Sequence, residues 1–362
     1  MAPLSSHSYS RGQASRAVVV GAGVIGLAVA RELAREGWCV VVLERTAPGS
    51  EASSAAAGML APHGEFVGDS PLFRAGLESR AMYPSFVAEL EDETGIDLDL
   101  RLDGLLVPLE AAASSPAAQF SGRRVNGDEA RSAEPGLSPD VEAALIFDED
   151  GSVDNRALVR ALAASCRSRG VEIRCPAAVT EVITDAGRVR GVRVQGRELS
   201  ADAVINCAGA WAGSIRVPGG EVVTRPIKGQ MVAVDTRRAP GSWPRRVIFS
   251  HEAYLVPRSD GRVVIGTTVE DRGFDKSVEP SAVARLLAGA TRLWPSIARA
   301  PVAESWAGLR PLGVTELPRI GAHGPEGYFV AVGHYRNGIL LAPLTARVLA
   351  ARILRREVVS PL

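Results

Sequence analysis

Three glycines and one acid at fixed spacing carry the first chemistry that can be read from this chain. Gly21, Gly23 and Gly26 form the run Gly-Ala-Gly-Val-Ile-Gly, and Glu44 follows 18 residues after the last of them. Ala17 to Val20 precede the glycines as a buried strand. An apolar-periodic helix is expected from about Leu27 to Glu36, stopped by Gly37, and a second strand from Trp38 to Leu43 ends on Glu44. In that order Gly21 permits a tight turn, Gly23 lets backbone N–H groups approach a pyrophosphate, and Gly26 lets helix and strand pack closely. The helix N-terminus faces the phosphates with its partial positive charge, and the carboxylate of Glu44 can accept hydrogen bonds from ribose hydroxyls. The chemistry these residues suit is dinucleotide binding.

Other elements must position what this cradle holds. After Glu44 comes Glu51-Ala52-Ser53-Ser54-Ala55-Ala56-Ala57-Gly58-Met59, whose small side chains permit close backbone approach to a bulky ligand. A helix is expected over 72–95, a strand at Leu105 to Leu109, and a variable segment from Glu110 to Pro139 with a surface helix near 127–134. Asp154 reads as the N-cap of a helix from Asn155 to Arg169. A strand at 171–174, a hairpin over 179–194 and a buried strand at 203–207 follow, the last running into the glycine turn Ala208-Gly209-Ala210-Trp211. Between Thr224 and Gly266 the pattern becomes alternating, as in an antiparallel sheet, and a helix covers about Ser281 to Leu293. The chain closes with a strand at Tyr328 to Val332, the turn Gly333-His334-Tyr335-Arg336-Asn337-Gly338, and a helix from Ile339 to Leu354 with Pro343 expected in its first turn.

The expected class is α/β with an α+β second domain: a Rossmann-type nucleotide domain carrying an inserted antiparallel-sheet substrate domain. Residues 17–62, 141–215 and 305–362 are assigned to the first, residues 63–140 and 216–304 to the second, and residues 1–16 to a disordered tail.

Composition narrows the function. The 362 residues hold 41 basic and 41 acidic side chains, so no net field favours nucleic acid or anionic lipid. Hydrophobic content of 46% and charged content of 23% are those of a soluble globular protein. The longest uncharged apolar run, Ala17 to Ala30, is too short to span a bilayer. Cys39, Cys166, Cys175 and Cys207 form no CxxC pair, which argues against a metal site or disulfide framework and for a reducing, cytoplasmic compartment.

Three segments together resemble the FAD-dependent amine and D-amino-acid oxidase superfamily: the 21–44 fingerprint, the 52–59 run and the closing 333–340 turn. Ala55-Ala56-Ala57-Gly58-Met59-Leu60, Trp306-Ala307-Gly308-Leu309-Arg310-Pro311 and Arg336-Asn337-Gly338-Ile339-Leu340-Leu341-Ala342-Pro343 are most similar to its glycine oxidase branch, which serves the thiamine-thiazole pathway. The resemblance covers roughly residues 17 to 357. It implies a flavoprotein with non-covalent FAD that oxidises glycine or another small amino acid to an imine, which yields glyoxylate and ammonia, with oxygen reduced to hydrogen peroxide.

By the same resemblance Gly21, Gly23, Val24, Ile25 and Gly26 hold the pyrophosphate, and Glu44 and Arg45 meet the adenosine ribose. Ala52, Ser53, Ala57, Gly58 and Met59 line the flavin side, and Val182 offers backbone contact near the adenine. His334, Tyr335, Arg336, Asn337, Gly338, Ile339 and Leu340 set a turn and helix N-terminus against the isoalloxazine. Arg310 binds the substrate carboxylate, Tyr254 lies beside it, and Arg336 forms the active-site wall; no metal is implied. A guanidinium fork fixes a carboxylate bidentately, which suits a reaction that needs the substrate Cα–H in line with flavin N5.

Two departures bear on substrate choice. The loop after Arg310 reads Leu312-Gly313-Val314-Thr315-Glu316-Leu317-Pro318 in place of an Asp-Gly turn, and Glu252 and Val269 stand where histidine and methionine occur in one glycine oxidase type. Glycine, sarcosine, D-alanine and larger amines therefore stay open, as does the oligomeric state, a homo-oligomer included. A dehydrogenase of the same fold that passes electrons to a quinone or protein carrier is the alternative. A flavin-binding assembly subunit and an NAD-dependent reductase are weaker rivals.

Overall fold

A computed structural model describes residues 15–66, 68–109 and 122–362. The strand Arg16–Val20 lies at the centre of a six-stranded sheet, paired in parallel with Cys39–Leu43 on one side and Ala203–Asn206 on the other. Glu172–Arg174 extends the sheet beyond Cys39–Leu43, Tyr328–Val332 pairs in parallel with Ala203–Asn206, and Arg319–Ala322 forms an antiparallel edge. Alternation along the central strands sorts their side chains between two faces. Ala17, Val19, Val40 and Val42 pack against the helices Val24–Arg35, Pro71–Thr94, Asn155–Ser168 and Gly338–Ile353. Val18, Val20, Val41 and Leu43 pack against a three-stranded sheet of Val179–Asp185, Arg188–Val194 and Arg197–Ser200.

The second sheet has eight strands in the order Val302–Leu312, Arg225–Asp235, Arg262–Gly266, Tyr254–Pro257, Val247–Phe249, Leu105–Leu109, Ala143–Phe147 and Arg123–Asn126. All neighbours are antiparallel except Val247–Phe249 and Leu105–Leu109. One face packs on the helix Pro280–Leu293 through Leu286, Ala290 and Trp294. The other, with Met231, Tyr254, Val256 and Val264, packs on Ala57 and Ala61 of the small-residue run.

The differences from the sequence expectations have physical causes. The helix expected from Leu27 begins at Val24, so that Gly26 lies inside its first turn as a close-contact residue. Ala143–Phe147 and, from residue 305 on, Val302–Leu312 fall in segments assigned to the nucleotide domain; both are strands of the eight-stranded sheet. Val302–Leu312 carries Glu304 and Arg310 among apolar residues, and its partner lies some seventy residues earlier, so local pattern could not reveal it. Residues 1–14 of the expected tail, and 110–121 of the expected variable segment, lie outside the described residues; Arg16 already belongs to a strand.

Pro343 is the clearest correction. The closing helix starts at Gly338, which puts the proline beyond its first turn. A proline there cannot donate to the carbonyl of Ile339 four residues back. The hydroxyl of Tyr83, on the long helix Pro71–Thr94, donates to that carbonyl, and Ser79 Oγ donates to the next one, Leu340 O, at 2.6 Å. The same long helix is tied to Val24–Arg35 by Arg31, only 1% exposed, whose guanidinium reaches Glu93 at 2.7 Å and Glu89 at 3.0 Å. Among the described residues no helix is long and apolar enough to cross a membrane.

Candidate active site

One elongated cavity of about 660 Å³ runs between the two sheets. It begins at Glu44 and Arg45, follows the glycine turn and the small-residue run, and ends beneath Tyr254 and Arg310. Helices start at both places where a charged ligand group is expected. Val24–Arg35 and Gly338–Ile353 each begin on this cavity, and neither Gly23 nor Asn337 caps its helix with a side chain. Backbone N–H groups and partial positive charge are thus presented to the interior at two points.

The cradle is built from close approaches. A Cβ on Gly26 would stand 2.0 Å from Gly21 O, and one on Gly21 would stand 2.6 Å from Cys207 O. Glu44 Oε2 accepts from Ala22 N at 2.8 Å and Oε1 from Thr46 N at 2.9 Å, which locks the acid against the glycine turn and leaves lone pairs for a further donor. Ser53 Oγ accepts from Val24 N at 3.0 Å. At this end the Arg45 guanidinium lies 3.8 Å over the Trp211 ring and pairs with Glu51 at 2.8 Å, and Lys276 reaches the same carboxylate at 2.9 Å. Tyr335 adopts a left-handed φ of 50° in the turn that lines the cavity near the second helix start. These features fit a dinucleotide with a large ring system at its far end.

At the other end, strand pairing places Arg310 opposite Ile227, and its guanidinium lies across Gly229, where a Cβ would meet it at 2.3 Å. Arg310 Nη2 donates to Thr267 Oγ1 at 2.7 Å and Nη1 to Thr268 O at 3.2 Å, so the fork is held from one side. Gly266 makes similar room for the Tyr254 ring, whose hydroxyl contacts Met231 Sδ at 3.3 Å. Burial pushes the Tyr254 phenol up to about 12, so it stays protonated and can donate to a carboxylate. Burial holds the His334 imidazole down at about 3; it is neutral and turned onto Thr345 Oγ1 at 3.1 Å, which excludes it as a proton carrier at neutral pH. Glu252 borders the cavity but pairs with Arg292 at 2.6 Å, and Val269 lines the wall.

Of the residues singled out in the sequence, Gly26 and Val182 do not line the cavity. Gly26 acts by packing on Gly21, whereas Val182 is buried in the core with its N–H donated to Arg216 O at 2.8 Å, and Val179 and Thr180 form the wall in its place. All the other residues assigned above to FAD or substrate line it.

Sequence reasoning missed three contributors. Arg258, buried, donates to Ala57 O at 2.6 Å and fixes the small-residue run. Gly229 gives Arg310 its seat; glycines facing each other on neighbouring strands, as Gly229 and Gly308 do, were the available signal. Glu65 projects onto the cavity, its Oε2 3.9 Å from Arg336 Nη1.

Comparisons with known proteins agree with this geometry. The family model described as FAD dependent oxidoreductase matches residues 16–352. The chain is 38% identical to the glycine oxidase of Geobacillus kaustophilus over 94% of this chain and 93% of that protein. It is 37% identical to the bifunctional protein ThiO/ThiG of Trichormus variabilis, aligning with 94% of this chain but 53% of that protein, so it spans about half the length of such bifunctional relatives. The crystal structure of glycine oxidase from Geobacillus kaustophilus superposes with a TM-score of 0.89, at 35% identity and covering 96% of each chain. With its cradle, its two helix starts and nearly its whole length matched, the chain belongs to the family of FAD-dependent oxidoreductases, and FAD is its cofactor.

Proposed function

We propose that this protein catalyses the oxidative deamination of glycine or a similarly small amino acid, with oxygen as the electron acceptor. The observation that carries the reading is the Arg310 guanidinium, fixed over Gly229 by Thr267 and Thr268 on the wall of the FAD cavity beside the Tyr254 hydroxyl. A carboxylate seated on that fork presents the neighbouring carbon to the space where the small-residue run leaves room for the flavin. FAD supplies the hydride acceptor at N5, and the chain's own residues bind, orient and exclude water. The uncapped start of Gly338–Ile353, on the cavity wall, would supply positive potential to a bound flavin. We place the reaction in the thiamine-thiazole pathway on the resemblance carried by residues 55–60, 306–311 and 336–343. We read the six-stranded sheet as the core of a cofactor unit and the eight-stranded sheet as the core of a substrate unit. The protein on this reading is cytoplasmic, with a small amino acid and O2 as its partners and neither nucleic acid nor membrane; a homo-oligomer is compatible with it.

The test is anaerobic mixing of the purified flavoprotein with glycine, sarcosine and D-alanine in parallel. Bleaching by at least one, followed by hydrogen peroxide when air is admitted, is the expected result. A flavin that none of them bleaches overturns the reading, and bleaching without peroxide moves the protein to the dehydrogenase alternative. Gly229→Ala provides a finer check: its Cβ displaces the guanidinium without removing the charge. Steady-state kinetics are expected to show kcat/KM lowered on the order of 100-fold while FAD content stays at the wild-type level.

A further inference from the structure

Glu65 ends a four-residue helical turn, Pro62–Glu65, that is anchored from behind. Asp150 accepts from His63 N at 3.2 Å, contacts His63 Nδ1 at 2.9 Å and is paired with Arg80, and the His63 ring stacks on Phe147 at 4.4 Å. The turn therefore holds Glu65 by its backbone. The side chain is 9% exposed, and Oε2 is buried with no hydrogen-bond partner. A buried carboxylate oxygen left unsatisfied in this way is rare, and on the wall of a substrate cavity it marks a missing donor. Arg336 approaches to 3.9 Å, too far for a hydrogen bond. The other charged or titratable groups that face Glu65 are Arg310, Tyr254 and Glu316, with His251 and the Arg292-paired Glu252 on the exposed rim.

We propose that Glu65 receives the substrate amine: with the substrate carboxylate on Arg310, Glu65 Oε2 accepts a hydrogen bond from the ammonium and takes one proton from it. The inference rests on the amino-acid oxidation proposed above. In this step one N–H bond of the ammonium breaks and an O–H bond forms on Glu65, with no change of oxidation state. The amine nitrogen is left with the lone pair that loss of Cα–H as hydride requires. Two features lower the cost of the step. Burial pushes the Glu65 carboxyl above the usual carboxylate range, while Arg336 and Arg310 draw it back. A carboxylate arriving on Arg310 offsets one of those opposing charges, so substrate binding itself strengthens Glu65 as a proton acceptor. Of the neighbouring groups, Tyr254 stays protonated, His334 faces Thr345 and Glu252 is paired with Arg292.

The experiment compares wild type, Glu65→Gln and Glu65→Asp by anaerobic rapid-mixing reduction with glycine between about pH 6 and 10. Each oxidised enzyme is also titrated with glycolate, a carboxylate without an amine, followed by the flavin spectrum. Wild type is expected to reduce rapidly at neutral pH. In Glu65→Gln the limiting reduction rate falls on the order of 100-fold at neutral pH, and the profile moves towards that of the amino group of free glycine. Glu65→Asp keeps a carboxylate and recovers part of the rate, while glycolate binds all three within about twofold. A Glu65→Gln variant with the wild-type rate and pH profile overturns the inference alone. So does one whose glycolate affinity collapses with its rate, because Glu65 would then be shaping the carboxylate seat. A wild-type enzyme that no amino acid reduces overturns the reaction itself, and this inference with it.

Discussion

Arg310→Ala is expected to yield a yellow protein that has lost its hold on amino acids, with kcat/KM for the preferred substrate down on the order of 100- to 1,000-fold. A guanidinium and a carboxylate about 4 Å apart attract by about 4 kcal/mol at an effective dielectric near 20, and desolvation of both groups reduces the net figure. Loss of orientation adds to the loss of attraction, because the fork also sets the angle at which Cα is presented. The fold has little reason to fail. Lys228 O, one acceptor of Arg310, also takes Glu270 N at 3.0 Å, and Thr268 O also takes Thr267 Oγ1 at 3.3 Å. None of the Arg310 partners belongs to the glycine cradle, so FAD content is expected to stay at one per chain. Arg310→Lys, which keeps the charge and loses the fork, is expected to fall between the two. Wild-type kinetics in Arg310→Ala would remove the carboxylate seat from this position.

Gly26→Ala attacks the opposite end of the cavity. The added Cβ would lie 2.0 Å from Gly21 O and 3.3 Å from Cys207 Cβ, and neither neighbour is the free end of a flexible side chain. The strand-to-helix turn must open by more than an ångström, a strain of about 1–3 kcal/mol or more in a packed interior. It also shifts the backbone at Gly23, the close-approach position for a pyrophosphate, while the Gly21 amide stays committed to Leu43 O. The expected product is a colourless protein with a lowered Tm that added FAD does not restore, as read by flavin absorbance and thermal unfolding. Gly37→Ala is the control. It places an alanine at a φ of +81° with nothing within 4 Å, so a loss of about 1 kcal/mol with FAD retained is expected.

What could be read in the sequence depended on how local its physical cause was. The Gly21–Glu44 unit was legible because the turn, the close contacts and the terminal acid all fall within one βαβ crossover. The cap of Asn155–Ser168 was legible for the same reason: Asp154 accepts from Arg156 N and Ala157 N, two and three residues on. Val302–Leu312 was not read as a strand of the large sheet because its pairing with Arg225–Asp235 exists only in three dimensions. Arg197–Ser200 escaped because it is short and polar, an edge strand shielded on one side only. Glu65 could not be singled out either. Its turn is too short for periodicity, and its interest lies in the lack of a partner, which no spacing encodes. Arg310 needed a resemblance to stand out among so many arginines, although the glycine beneath it is what makes its orientation intelligible.

Tyr83 and Pro343, 260 positions apart, are coupled through one carbonyl. The proline withholds a donor from Ile339 O and the tyrosine supplies one, so each residue makes the other tolerable. An alanine at 343 would offer Ile339 O a second donor beside the fully buried Tyr83 hydroxyl, which the proline leaves as its side-chain partner. Because Ile339 is the second residue of the helix that begins on the FAD cavity, that contact also fixes the long helix Pro71–Thr94 against the cofactor site.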